Sequence, residues 1–188
     1  MRYATAHDLP LFVDGLEPAQ YEGYRAIGRE IADELGSGQG TVVVPVGNGA
    51  LIGGIGEALA RTGWHVVGVV AKSAPVMADS FDAVRVATAP SGTTIADGPA
   101  VPVAIPYAVE RIQPVVGRMV RVSERELAFA IGAFARAGIR VEASAAASLA
   151  ALAHLDRPTE PVVLVVTGRN IDDDLFEHAC GAPETFPD

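Results

Sequence analysis

The sequence predicts an α/β fold, a mostly parallel sheet covered by helices. Strand-like and helix-like segments alternate along the 188 residues, the order that places strands side by side with helices packed across them. The strand-like segments Thr41–Val46, His65–Val70 and Pro161–Val166 are short, nearly continuous apolar runs rich in valine. Such runs belong to strands covered on both faces, whereas a sheet with one wet face alternates apolar and polar residues. The length and 49% apolar content suit a single domain with a substantial core, expected over 1–188.

The first helix is predicted from Pro18, which suits a first helical position. Tyr21, Tyr24, Ile27, Ile31 and Leu35 then recur at helical spacing up to Gly36. After a glycine-rich loop come the strand Thr41–Val46, the turn Gly47–Ala50, a helix from Leu51 to about Arg61, and the strand His65–Val70. The proline-rich stretch Ala71–Val115 predicts short helices and connections without a clear order. Gly117–Val122 reads as a strand. Ser123-Glu-Arg-Glu126 has capping-box spacing and starts a helix running to about Ala137. A short strand at Ile139–Glu142, an alanine-rich helix at Ala143–His154 and the strand Pro161–Val166 complete the pattern. Neither an internal repeat nor a domain linker is visible.

Composition excludes several classes. With 14 basic against 23 acidic residues the net charge is -9, and the scattered arginines form no stripe that could follow a nucleic-acid backbone. Apolar stretches such as Ala143–Ala153 fall short of the ~18 residues of a membrane span. The N-terminus reaches Asp8 before a signal segment can form, so a cytoplasmic location is expected. The one cysteine, Cys180, precludes an intrachain disulfide and a thiolate cluster; placed in a polar C-terminal tail, it reads as an incidental thiol.

In an α/β sheet, ligands bind beyond the carboxyl ends of the strands. There the turn Gly47-Asn-Gly-Ala-Leu51 joins a buried strand to a helix start and could aim several amides at a phosphate. Glycine also serves tight turns for steric reasons alone. The turn lacks the Gly-Lys-Ser/Thr of a nucleotide loop and the third glycine of a dinucleotide fingerprint. Thr167-Gly168 follows the last strand, where a hydroxyl could meet a ring nitrogen or simply end the strand. Glu142 precedes a helix and, from position alone, reads better as its cap than as a site carboxylate.

Six segments read together resemble one family, the fold-type II pyridoxal-phosphate (PLP) enzymes, particularly threonine dehydratases and threonine synthases within the tryptophan synthase beta superfamily. Gly23–Ile31 resembles the helix before their phosphate loop, and Val42-Val-Val-Pro-Val-Gly-Asn-Gly-Ala-Leu51 the loop itself. Thr94-Ile-Ala-Asp-Gly98 is similar to another shared segment. Val122-Ser-Glu-Arg-Glu126 resembles "V-S-x-x-E", Val141-Glu-Ala-Ser-Ala-Ala146 resembles "V-E-P-S-G-A", and Leu164-Val-Val-Thr-Gly-Arg-Asn170 resembles "L-S-G-G-N". The resemblance runs from about Phe12 to Asn170.

What it implies is the fold of that family's large cofactor-binding domain, with PLP as cofactor. Amides of Gly47, Asn48, Gly49, Ala50 and Leu51 would hold the phosphate, Thr167 would face the pyridine nitrogen, and Gly98 and Glu142 would lie near the ring. Asn48, where dehydratases often carry glycine, leans towards threonine-synthase-like members. Val70 stands where some relatives have a glutamate metal ligand, so no metal site is expected. The family's catalytic lysine segment has no counterpart here: Lys72 is the one lysine, and it lacks the Ser-x-Lys surroundings. The implied protein is a C-terminal half, inactive as an amino-acid lyase or deaminase without a separate chain bringing the lysine, and assembled as a homo- or hetero-oligomer. The alternative is a non-catalytic module that binds a phosphate ligand or drives oligomerisation.

Overall fold

The computed structural model describes residues 2–88, 92–96 and 103–188. Helices α1 (Arg2–Ala6) and α2 (Pro18–Leu35) lead into strand β1 (Gln39–Pro45), helix α3 (Ala50–Leu59) and strand β2 (Gly63–Ala71). Helices α4 (Val76–Ala83) and α5 (Pro106–Ile112) occupy the proline-rich stretch. Strand β3 (Arg118–Val122), helices α6 (Glu124–Arg136) and α7 (Ala143–Ala150), strand β4 (Val162–Leu164) and helix α8 (Asp173–Gly181) follow.

The four strands form one sheet in the order β3-β2-β1-β4, and all three ladders are parallel. Strand alternation divides the core. Val42, Val44, Val46, Val66 and Val70 face α3, α4 and α5, with Ile31 of α2 behind. Val43, Val67, Val69, Val120 and Val122 face α6, α7 and α8. Both faces are therefore dry along β1 and β2, which explains why these strands read as valine runs; β4, expected to be buried, is a half-buried edge strand with Val166 beyond it exposed. From β1 the chain steps outwards through β2 to β3, then returns to place β4 on the other side of β1. That reversal opens a crevice at the carboxyl ends of β1 and β4, the position where open parallel sheets bind ligands.

Three expectations need correction. Ile139–Glu142 forms no strand. Ile139 and Val141, two residues apart, would share a strand face, yet Ile139 is exposed and Val141 buried; the place beside β1 is taken by β4, and a single amide bond, Glu142 N–H to Gly168 O at 3.2 Å, makes no ladder. The helix over Ala143–His154 tightens to 3-10 geometry from Ala151. Cys180 lies not in an irregular tail but, exposed, on α8, a helix that no sequence pattern announced. The predicted capping box is present: Ser123 Oγ accepts from the Glu126 amide at 3.2 Å and the Ser123 amide donates to Glu126 Oε2 at 2.6 Å.

Candidate functional site

Strand β1 delivers the turn 47–49 to the crevice, and α3 begins immediately after it. Gly49 is the residue before the helix and has φ +96°, the left-handed region that penalises a side chain. A Cβ there would also come within 3.0 Å of Met77 Cε and 3.3 Å of Ala108 Cβ. Only glycine fits, so the backbone at this point lies bare. Among the described residues, the amides of Gly47, Asn48, Gly49 and Leu51 have no hydrogen-bond partner. The Ala50 amide does have one, Asn48 Oδ1 at 3.0 Å. Free amides at a helix start, reinforced by the helix dipole, form an anion cradle.

Two other elements face this turn across a cavity of about 190 Å³, whose lining includes Gly47, Asn48, Gly49, Glu142, Ser144 and Thr167. Thr167 arrives beyond the end of β4. Glu142 stands at the cap position of α7, yet its side chain makes no capping bond. Its carboxylate lies against Gly168, where any Cβ would overlap it. Ser144 is 8% exposed, and its Oγ is buried without a partner. Buried hydroxyls are nearly always hydrogen-bonded, so an orphan turned towards a cavity marks a place for a ligand atom. Leu51 also lines the cavity; Ala50 is buried at the head of α3. Gly98 lies outside the described residues.

Two supports of the site were missed from sequence. Glu124, 7% exposed, accepts from Ser73 Oγ at 2.6 Å, Thr94 Oγ1 at 3.1 Å and the Ile95 amide at 2.8 Å. It thereby ties the end of β2 to the segment that leads to Gly98; it stands at a variable position of "V-S-x-x-E", where no pattern singles it out. Tyr21 is fully buried and donates to Gly15 O at 2.8 Å, holding the stretch before α2 against Asn48. Burial pushes the Tyr21 phenol up to about 12. Ser144, by contrast, was within the quoted segment 141–146 and could have been found there.

Lys72 follows β2 and is exposed. It does not line the cavity, and its backbone amide donates to Val122 O at 2.8 Å. Val70 is buried in β2, and no group of three or more His, Cys, Asp or Glu among the described residues could hold a metal. None of the described helices is long and apolar enough to cross a membrane.

A parallel sheet with free amides and a facing hydroxyl at the carboxyl ends of β1 and β4 is an arrangement suited to a phosphate-bearing ligand. More particularly, residues 2–168 match the family of pyridoxal-phosphate dependent enzymes, and the chain belongs to that family. It is 35% identical over 162 residues to an L-threonine ammonia-lyase of Geobacter sulfurreducens, covering 83% of this chain and 40% of that protein. A catabolic L-threonine dehydratase of Staphylococcus aureus is 33% identical over 175 residues, with coverage of 87% and 50%. The chain thus spans about half the length of the curated relatives it matches. Among solved structures, a T.th. threonine deaminase superposes with a TM-score of 0.76 at 30% identity, covering 84% of this chain and 59% of that one. Processed threonine deaminase isoform 2 from Solanum lycopersicum gives 0.85, covering 95% and 51%; at 23% identity it speaks for the fold alone. The family's cofactor is pyridoxal phosphate. The free amides, the Thr167 hydroxyl and the orphan Ser144 hydroxyl fit it; a lysine in the cavity is what the chain does not offer.

Proposed function

We propose that this chain is the cofactor-cradling part of a PLP-dependent amino-acid lyase of the threonine or serine dehydratase type, acting in the cytoplasm with a separate polypeptide that brings the reactive lysine. The observation that carries the reading is the convergence of unpaired loop amides, Ser144 Oγ and Thr167 on one cavity at the switch point.

The amides of Gly47, Asn48, Gly49 and Leu51 hold the phosphate. The Ala50 amide is held by Asn48 Oδ1 and would join them only if that bond were exchanged. Thr167 would offer its hydroxyl to the pyridine nitrogen, and Ser144, in the first turn of α7, would supply a second polar contact within the pocket. Glu142, pressed on Gly168, would bound the cofactor on the side of Thr167. Leu51 and Ile52 give the cavity an apolar part. When bound, pyridoxal phosphate supplies the electron sink that makes an amino acid's α-proton removable. Removing that proton takes a base, and Lys72 lies outside the cavity.

This last fact favours the second reading, a non-catalytic phosphate-ligand or oligomerisation module. Ammonia release from L-threonine and L-serine separates them. The PLP-loaded chain alone is expected to show none, and turnover is expected after co-expression with a lysine-bearing polypeptide encoded beside it. Turnover by the chain alone would overturn the split-subunit reading; the lack of any such neighbouring frame would favour the module.

A further inference from the structure

Beyond the cofactor cavity, across the Thr167–Gly168 segment, lies a larger one of about 480 Å³. It is lined by Gly138, Ile139, Arg140, Val166, Thr167, Gly168 and Arg169. Its lining residues include two arginines and no acid, in a protein of net charge -9, although the Glu142 carboxylate packs on Gly168 at its border. The two arginines are not equivalent. Arg140 bonds to Asp173 Oδ1 at 2.6 Å and to Ile171 O at 3.0 Å, and lies over the Phe176 ring at 4.3 Å. Its charge is largely offset and its plane is fixed. Arg169 has no ion pair or side-chain hydrogen bond among the described residues. It also stands where the family pattern quoted for 164–170 has a glycine, so this chain has placed a cation next to the cofactor cavity where the pattern has no side chain.

We infer that this cavity is a binding site for the carboxylate or phosphate group of a small anionic ligand, with Arg169 as its principal contact and Arg140 as a pre-oriented second one. A guanidinium offers a planar fork of donors that pairs two-to-one with such groups. An uncompensated one beside a cavity attracts an anion even against an overall negative charge, because screening limits the reach of distant acids to about 10 Å at moderate salt. Thr167 borders both cavities, so the anion is either free or the far end of an amino acid whose reacting end lies at the cofactor. The site itself does not depend on the cofactor reading.

The test is an amide NMR titration of the full chain with inorganic phosphate, with succinate and with O-phospho-L-serine, each with and without PLP. Saturable shifts are expected at Ile139, Arg140, Gly168 and Arg169. They should persist in Gly49→Trp, whose cradle is blocked, and weaken at least tenfold in Arg169→Ala, with partial recovery in Arg169→Lys. Arg169 is exposed, so its replacement leaves the fold standing. O-Phospho-L-serine binding more tightly when PLP is present assigns the site to a substrate's second anionic group; equal binding assigns it to a free anion. No saturable shifts at these amides, or shifts untouched by Arg169→Ala, would overturn the inference, whereas loss of PLP binding alone would count only against the cofactor cradle.

Discussion

At the scale of single residues, the site is made by side chains that are small or missing. Gly49 is bare because its φ and its neighbours Met77 and Ala108 forbid a Cβ; Gly168 is bare because Glu142 fills the space. Gly168→Ala is therefore expected to displace the Glu142 carboxylate and weaken PLP binding about tenfold while leaving the denaturation midpoint nearly unchanged, as a fluorescence titration beside a urea melt would show. An unchanged affinity would detach Glu142 from the site. Tyr21 gives a pH signature. Burial raises its phenol from 10.0 to about 12, so the folded state holds the proton more tightly than the unfolded chain does. Its contribution is complete below pH 10 and disappears as the pH climbs from about 10 to about 12. Urea midpoints between about pH 9 and about pH 12 should fall in the wild type and fall less in Tyr21→Phe. The glycines and Thr167 were legible in the sequence because they follow strands; the Glu142 contact with Gly168 was not, since it depends on how two distant segments meet.

Among the elements, strands with two buried faces announced themselves most clearly, because burial on both sides leaves only apolar residues. Helix α6 was legible through its cap. Ser123→Ala removes one of two reciprocal bonds and should cost about 1 kcal/mol in a denaturant melt; no loss would mean that the box contributes nothing. Glu126 belongs to the same box. Burial pushes its carboxyl up, but the Ser123 amide and His154, 2.6 Å away, outweigh burial and hold it below its usual 4.5. Its stabilising effect is thus present above that value and is lost as the pH falls. Helix α8 was missed for a physical reason: its start, Asp172-Asp-Asp174, looks like a solvated charge run, although acids suit a helix N-terminus. The apparent strand at 139–142 misled because a short run containing isoleucine and valine needs only an extended chain, whereas a strand requires a neighbour with free edge groups.

For the whole molecule, the sheet order is what binds fold to function. The element sequence told of a parallel sheet, but only the placement of β4 on the far side of β1 puts Thr167 opposite the 47–49 turn. Leu9, Leu11, Phe12, Val13 and Leu16 are exposed in one short stretch, and contiguous apolar surface of this kind favours association. Light scattering on the purified chain should report an oligomer or a concentration-dependent mass; a steady monomer at all concentrations would refute that expectation. The central claim is that the chain holds PLP through the turn after β1 and carries no lysine to fix it there. A PLP titration of the purified chain, followed by borohydride reduction and intact-mass analysis, tests it most directly. Saturable binding that Gly49→Trp abolishes, with no covalent adduct after reduction, is the expected result; failure to bind, or a reduced adduct on Lys72, would contradict it.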